Sequence, residues 1–183
     1  DTGLYSDHRD TRVLVRELAE GQSFLNLYAY TGAFTCAAAA GGARSTVTVD
    51  RSQTNLDWAK DNLDLNGFSS KEHGFAQSDV DSFLSQAAKA KERWSLVFVD
   101  PPSFFKDVKA GKAFDINRDH VTLLRQVLKV TQPGGTVFFS TNHQRFEPRL
   151  NELTVTDLRE LTPQTIPEDY RNRNVHRCWR FRA

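Results

Sequence analysis

The sequence predicts an α/β protein built on a doubly wound, mainly parallel sheet of seven strands that ends in an antiparallel hairpin. Strand-like and helix-like segments alternate along most of the chain, which is typical of parallel strands joined by crossover helices. Residues 95–99 form a continuous apolar run, as expected of a central strand buried on both faces. Beyond residue 150 the alternation stops, and two longer strand-like segments follow each other without a helix between them.

The first half of the chain predicts three helices and three strands. A helix over residues 9–20 follows from the spacing of Val13, Leu14 and Leu18, with Gly21 just past its end. The next elements are a strand at 23–29, a helix of small residues at 34–40, a strand at 46–49, an amphipathic helix at 54–66 ended by Gly67, and a weaker strand at 72–77.

The second half predicts the remaining four strands. A helix through Phe83 and Leu84, the apolar strand at 95–99 and a helix at 120–131 come first. A Pro-Gly-Gly turn at 132–135 then leads to a fifth parallel strand at 136–139. Residues 153–161 and 175–181 are expected to pair antiparallel at one edge. No linker or repeat divides the chain, so we expect residues 1–183 to form one domain.

The amino-acid composition excludes several classes of protein to which the chain could belong. A hydrophobic content of 39% supports a core, and no apolar run approaches the roughly 18 residues that a membrane span needs. A net charge of +1 does not favour nucleic-acid binding by the whole surface, although it allows a local basic patch. Two cysteines without a CxxC motif argue against a disulfide scaffold or zinc site and fit the reducing cytoplasm. Because the chain opens at Asp1 in a turn-like stretch, we expect a fragment of a longer protein.

Ligands of open α/β sheets bind outside the carboxyl ends of the strands, and two stretches of the first half lie there. Residues 26–32 contain one glycine, Gly32, where a dinucleotide site would have GxGxxG, so a cofactor without a pyrophosphate fits better. Asp50 ends the second strand, where a carboxylate accepts hydrogen bonds from ribose hydroxyls. An ordinary tight turn and a helix N-cap are the alternative interpretations, although Ser52 already offers a cap.

Two further strand ends carry polar residues. Ser78-Asp79 follows the third strand, where the carboxylate would accept from an adenine amino group, or would only cap the next helix. Asp100-Pro101-Pro102-Ser103-Phe104 follows the buried strand and is the most specific pattern of the chain. Its prolines fix the backbone, while a carboxylate, carbonyl groups and an aromatic ring suit the binding of a planar nitrogenous base.

These stretches together resemble the class I S-adenosylmethionine methyltransferases, and the DPPSF run is similar to their (D/N)PP(Y/F) motif. A resemblance to the ribosomal RNA large subunit methyltransferase K/L family, in its C-terminal K half, extends over essentially the whole chain. The runs that carry it are 3–12, 26–34, 114–120, 133–135, 161–167 and 173–176. The resemblance implies methyl transfer to N7 of a guanine in 23S rRNA. It also implies a THUMP module and a second, N2-guanine methyltransferase upstream in the full-length protein.

The resemblance also implies roles for individual residues. Asp7 and Arg9 would lie beside the methionine end of S-adenosylmethionine, and Asp100 would bind the guanine or the cofactor amine. Phe104 or Phe105 would stack on the base. The other cofactor contacts implied are Asn26, Tyr28 and Gly32 at its middle, Asp50 and Arg51 at its ribose, and Ser78 and Asp79 at its adenine. Because N7 carries an in-plane lone pair, we expect neither a metal nor a covalent intermediate.

Other functions remain open at this stage. The related cytosine-C5 branch needs a thiolate after the fifth strand, where this chain has Ser140-Thr141-Asn142. A non-catalytic RNA-binding module would keep the fold and lose the pocket. A nicotinamide-dependent oxidoreductase is disfavoured by the single-glycine turn. A protein-glutamine methyltransferase usually has a motif that begins with Asn and ends with Tyr.

Two segments suggest contacts with RNA. Alternate residues of a strand point to one face, so Arg180 and Arg182 would form a basic stripe for phosphates, or merely protect an exposed edge strand. Lys106, Lys109 and Lys112 lie in the loop after the two prolines, which we expect to be mobile and to close over the substrate.

Overall fold

The computed structural model describes residues 2–68, 71–107 and 111–183. The strands are β1 (Ser23–Leu27), β2 (Ser45–Asp50), β3 (His73–Gln77), β4 (Trp94–Val99), β5 (Phe104–Asp107), β6 (Lys112–Asp115), β7 (Thr131–Thr141), β8 (Thr156–Glu160) and β9 (Arg177–Arg182). The helices are α1 (Arg9–Leu18), α2 (Ala33–Ala40), α3 (Gln53–Leu65), α4 (Val80–Lys89), α5 (Ile116–Lys129) and α6 (Thr162–Thr165), with 3-10 turns at Ser6–His8 and Leu150–Glu152.

The main sheet has seven strands in the order β3-β2-β1-β4-β7-β9-β8, and the predicted fold class is confirmed. The first five strands in this order run parallel, whereas β9 pairs antiparallel with both β7 and β8. The chain runs outward from β1 through β2 and β3, then returns to β4 on the other side of β1. This reversal opens a crevice at the carboxyl ends of β1 and β4, where ligands of such sheets bind.

Helices cover both faces of this sheet. Leu25 and Val97 face a core built with α4 and α5, while the adjacent Phe24 and Leu96 face a core built with α1 and α2. This alternation explains why the central strands are mostly apolar on both faces. Phe138 is fully buried on the second face, where truncation of a phenylalanine to alanine typically costs about 3–5 kcal/mol.

Several elements differ from the prediction by a few residues at their ends, and the differences at three places have a physical interest. Helix α5 begins at Ile116, four residues early, because the Asp115 carboxylate caps it by accepting from the backbone N–H of Asn117, 2.9 Å away. The predicted turn at 132–135 lies within β7, as an irregularity of its pairing with β4. A short helix, α6, lies between β8 and β9, where no helix was expected.

The predicted basic stripe lies away from the carboxyl end of the parallel strands. Because β9 runs antiparallel to β7, Arg182 pairs with Thr136, well before the end of β7. The side chains of Arg180 and Arg182 both approach Asp157, with N–O distances of 3.3 and 4.0 Å. The alternative of an exposed edge strand is wrong, because β8 covers the outer side of β9, whereas a contact of these arginines with RNA stays a prediction.

The segment after the two prolines is a β-hairpin rather than an open loop. Strands β5 and β6 pair antiparallel, and the rings of Phe105 and Phe114 stack with centroids 5.6 Å apart. Lys109, one of the three predicted basic residues, lies outside the described residues. Closure of this hairpin over a substrate stays a prediction.

Candidate functional site

A cavity of about 580 Å³ opens at the carboxyl ends of the central strands, at the predicted switch point. This volume lies within the range of about 300–1,000 Å³ that is usual for small-molecule sites. The residues that line it are Tyr5, Asp7, His8, Arg12, Asn26, Tyr28, Ala29, Tyr30, Thr31, Ala33, Phe34, Asp50, Asn55, Phe98, Asp100, Pro101, Pro102, Ser103, Phe104 and Asn142. Most of the predicted site residues therefore lie in one cavity.

The turn between β1 and α2 holds an unusual backbone at the floor of the cavity. Tyr28 and Tyr30 both have left-handed conformations, with φ of 57° and 50°. Each such non-glycine residue costs on the order of 1–3 kcal/mol and persists only where its surroundings hold it. Gly32 also has a positive φ, 72°, and a Cβ there would come within 2.7 Å of the Ala59 Cβ. Gly32 is thus fixed by conformation and by close packing, although it does not line the cavity itself.

Asp50 braces this turn from the neighbouring strand. One carboxylate oxygen accepts from the backbone N–H of Tyr30 at 2.9 Å. The other accepts from the Ser52 N–H at 2.9 Å and from the Asn55 side chain at 3.1 Å. Ser52, not Asp50, caps α3 with its own side chain. A carboxylate has about four acceptor positions, so one remains for a ligand in the cavity wall.

Asn26 and Tyr28 come from the end of β1. The Asn26 amide donates to Thr35 Oγ1 at 3.0 Å, and Thr35 is in turn hydrogen-bonded to Thr48 at 2.9 Å. This buried chain of contacts fixes the orientation of Asn26 beneath the cavity. Burial, helped by nearby acidic groups, raises the pKa of the Tyr28 hydroxyl, so Tyr28 is neutral and a hydrogen-bond donor.

The DPPSF stretch forms the opposite wall. Burial raises the pKa of Asp100 to about 6, against a hydrogen bond from Ser140 that lowers it. The prolines carry the chain from β4 into the hairpin, and Ser103 donates to the Asn142 side chain at 2.9 Å. Of the two candidate stacking residues, Phe104 is 60% exposed at the cavity, whereas Phe105 packs against Phe114. Phe104 is therefore the ring that a base can reach.

A pair of buried histidines lies behind Asp7 and Asp100, two of the three acidic residues that line the cavity. The rings of His8 and His176 stack with centroids 4.0 Å apart and an interplanar angle of 13°. His176 Nδ1 lies 2.8 Å from an Asp7 carboxylate oxygen, and His8 Nε2 lies 3.7 Å from Asp100. Burial lowers the pKa of His8 to about 3, so this ring is neutral.

The same residues raise the question of a metal site. Potential ligand atoms of Asp7, His8 and His176 lie within 4.8 Å of one another. The in-plane lone pairs of two nearly parallel stacked rings do not converge on one point, however, and Nε2 of His176 is already hydrogen-bonded to Thr165 at 3.0 Å. The arrangement fits a hydrogen-bond network better than a metal ligand set.

Five predicted cofactor residues do not line the cavity: Arg9, Gly32, Arg51, Ser78 and Asp79. Arg9 forms an exposed ion pair with Asp169 at 2.6 Å. The Ser78 N–H donates to the Asp50 carbonyl at 3.0 Å, so this N–H is already engaged within the sheet, and a contact of Ser78 with adenine stays a prediction. The Asp79 side chain caps α4, the alternative considered for it, and also pairs with Lys112 at 3.1 Å.

Arg51 and several unpredicted residues complete the surroundings. The guanidinium of Arg51 lies 5.6 Å from the ring centre of Phe105. Arg12, rather than Arg9, lines the cavity and donates to the Tyr5 carbonyl at 2.8 Å. Arg12 is one helical turn beyond Arg9, a spacing that could have indicated it. His176 carried no comparable signal, because only the return of β9 beside β7 brings it to Asp7.

Comparisons with known proteins agree with this architecture. A sequence model of the S-adenosylmethionine-dependent methyltransferase family matches residues 1–163. The crystal structure of SMU.776 complexed with SAH superposes with a TM-score of 0.84 at 24% identity, covering 99% of this chain and 50% of that one. The S-adenosylmethionine-dependent methyltransferase from Agrobacterium tumefaciens gives 0.78 at 18% identity, covering 98% and 63%. At these identities the structures support the fold alone.

Closer relatives are found among curated sequences. The ribosomal RNA large subunit methyltransferase K/L of Methylococcus capsulatus is 45% identical over 100% of this chain, which covers 25% of that protein. The large subunit methyltransferase K of Neisseria meningitidis is 44% identical over 100% of this chain and 51% of its own length. The chain thus spans a quarter to a half of these relatives. Within its described part, no helix is long and apolar enough to cross a membrane.

Proposed function

Because this chain belongs to the S-adenosylmethionine-dependent methyltransferase family, we propose that it methylates N7 of a guanine in 23S rRNA. The names of its relatives support a ribosomal RNA substrate. The observation that carries the choice of a ring nitrogen is the composition of the cavity wall. Asp100, two prolines and an exposed phenylalanine lie there, and the lining includes no thiol.

The position of the cysteines supports this choice over cytosine C5. Cys178 is fully buried in β9, and burial raises its pKa, so it stays a thiol. Cys36 lies in α2, outside the cavity lining, and burial raises its pKa as well. Methylation of C5 requires a thiolate that adds to the pyrimidine ring. Both cysteines are free thiols, which agrees with the expected cytoplasmic location.

The donor and acceptor groups of the cavity suit S-adenosylmethionine. Asp7 would accept from the cofactor's amino group, and Arg12, with the predicted Arg9 nearby, would lie toward its carboxylate. The remaining acceptor position of Asp50 suits a ribose hydroxyl, with Arg51 beside it. Ser78 and Asp79 are more distant candidates for the adenine end. When bound, this cofactor supplies an activated methyl group on a sulfonium.

The chain's own contribution to the reaction would be positioning. Guanine N7 already presents its lone pair, so no group of the protein has to remove a proton from it. At neutral pH Asp100 is mostly ionised, since its pKa is about 6, and would accept from the guanine N1–H or amino group. Phe104 would stack on the base. Alignment of this kind is worth on the order of 7–11 kcal/mol in favourable intramolecular reactions.

Other assignments belong to the same proposal or compete with it. The upstream THUMP and second methyltransferase modules are proposed from the resemblance and from the short span of the relatives that this chain covers. Cytosine-C5 methylation remains the competing reaction. A non-catalytic RNA-binding role is the competing non-enzymatic function, and the well-formed cavity disfavours it.

The test is transfer of labelled methyl from S-adenosylmethionine to unmodified 23S rRNA, followed by nucleoside analysis. We expect 7-methylguanosine with the wild-type chain and its loss in Asp100→Ala. Appearance of 5-methylcytidine would contradict the cysteine argument. Cofactor binding without transfer to any RNA would support the non-catalytic role, or a need for the upstream modules, which a full-length preparation separates.

A further inference from the structure

The side chain of His176 is completely buried, and it lies beyond the residues that the family model matches. It comes directly before β9, whose pairing of Arg177 with Thr141 fixes its position beside the end of β7. Its Nδ1 lies 2.8 Å from Asp7 Oδ2, and its Nε2 lies 3.0 Å from Thr165 Oγ1. Both ring nitrogens are therefore engaged, one toward the cavity and one toward the interior.

We infer that His176 is a positioning residue that orients the Asp7 carboxylate for binding the cofactor's amino group. The inference rests on the role proposed above for Asp7. His176 itself does not touch the cofactor in this arrangement, since its contact with the cavity passes through Asp7.

The first argument is that the two carboxylate oxygens of Asp7 have different surroundings. Oδ2 is held by His176, and no side chain of another described residue holds Oδ1, although the Asp7 backbone N–H also lies within hydrogen-bonding reach of the carboxylate. Asp7 lines the cavity with only 18% of its side chain exposed. An aspartate at a 3-10 turn can rotate about its side-chain bonds, so one fixed oxygen determines where the other points.

The second argument is the charge of Asp7. Burial by itself would raise the pKa of this carboxyl, but the hydrogen bond from His176 and the neighbouring histidines outweigh it and lower the pKa. Asp7 is then ionised at neutral pH, as a partner for an ammonium group must be. A charge-assisted hydrogen bond of this kind is stronger than a neutral one.

The third argument is the fixed plane of the His176 ring. His8 stacks on it at 4.0 Å and is itself held by Thr11, with its Nδ1 at 3.1 Å from Thr11 Oγ1. Burial lowers the pKa of His8 to about 3, so the stacked pair does not carry two positive charges. A locked ring delivers its nitrogen to Asp7 in one geometry.

Two substitutions separate the two bonds of His176. In His176→Asn the side-chain amide nitrogen can take the place of Nδ1 and keep the bond to Asp7. In His176→Gln the longer side chain reaches toward Thr165 instead and loses it. We measure the Kd of S-adenosylmethionine by calorimetry, with the thermal unfolding of each variant beside it. We expect His176→Asn to bind within about threefold of wild type and His176→Gln to bind about tenfold or more weakly, since hydrogen bonds to charged groups contribute about 1.5–3 kcal/mol.

Two controls make the result decisive. Thr165→Val removes the inner bond of His176 and leaves Asp7 untouched, so it should lower the unfolding temperature without changing the Kd. Adding His176→Gln to Asp7→Asn should weaken binding no further than Asp7→Asn alone. Equal weakening by the Asn and Gln variants, or weakening by Thr165→Val, would overturn the inference. The readout is cofactor affinity, so a failure of the wild-type chain to methylate rRNA would count against the proposed function, or indicate a need for the upstream modules, and would leave this result unchanged.

Discussion

The β1–α2 turn and the Asp7–His176 pair both shape the same cavity, yet the chain builds them in opposite ways. The turn uses neighbours in sequence, and its strained backbone is held by Asp50 from the next strand. The pair joins residues 169 positions apart and exists only because β9 lies beside β7. Local parts of a site can be predicted from sequence patterns, whereas parts made by topology need the fold.

The largest expected effect concerns the local turn. Gly32→Ala should destabilise the chain by about 2–4 kcal/mol, because alanine is strained at positive φ and its Cβ would approach Ala59 at 2.7 Å. Gly67→Ala is the matched control, since Gly67 has a φ of 78° and none of the described residues lies within 4 Å of the added Cβ. It should cost only about 1 kcal/mol. Equal losses in urea unfolding would show that packing against Ala59 contributes nothing.

The next effect concerns Asp100, where the local motif meets the histidine pair. Methyl transfer, measured as kcat/KM, should fall about tenfold per pH unit below pH 6, because the required carboxylate becomes protonated there. The contribution of Asp100 to the free energy of unfolding should change with pH in the opposite direction, and be larger at low pH. The folded-state pKa is raised from 3.8, so the stabilising contribution of Asp100 is complete below pH 3.8 and is lost as pH rises through 6. Asp100→Asn should remove this part of the pH dependence of unfolding, and an unchanged profile would contradict the raised pKa.

Two adjacent phenylalanines give a smaller and sharper contrast. Phe104→Ala should raise the KM for RNA about tenfold and leave the unfolding temperature unchanged, since base stacking contributes about 1–3 kcal/mol per base. Phe105→Ala should lower the unfolding temperature and leave the KM for RNA unchanged, because the Phe105 ring packs on Phe114. An equal loss of RNA affinity in both variants would argue that the hairpin as a whole, not one ring, binds the base.

The smallest effect distinguishes Arg9 from Arg12. Arg9→Gln should change neither the unfolding temperature nor the Kd of S-adenosylmethionine measurably, because its ion pair with Asp169 is exposed to solvent. Arg12→Gln should weaken cofactor binding several-fold, because Arg12 lines the cavity. The opposite ranking would restore the role that the sequence motif predicted for Arg9.

The contrast between locally built and topologically built parts of the site also explains which features could be predicted from the sequence alone. The sheet, Asp50 and Asp100 were predictable, since apolar runs ended by polar residues place side chains at strand ends. Asp79 was ambiguous because a carboxylate after a strand serves equally as a helix cap. The inner position of β9 was missed, since alternating arginines indicate a face but not which strands lie beside it. His176 lies in one of the runs that carry the family resemblance, but no local pattern connects it to Asp7, so its role in the site could not be predicted.

The left-handed tyrosines of the β1–α2 turn have a consequence for engineering this fold. Glycine adopts such conformations without strain, so replacing either tyrosine would relieve about 1–3 kcal/mol of backbone strain. The same replacement would lose packing, because Tyr28 lies against the core and Tyr30 contacts Tyr5 and Trp58. It would also remove an aromatic ring from the cavity wall, so a stabilised variant should be designed with both tyrosines held constant.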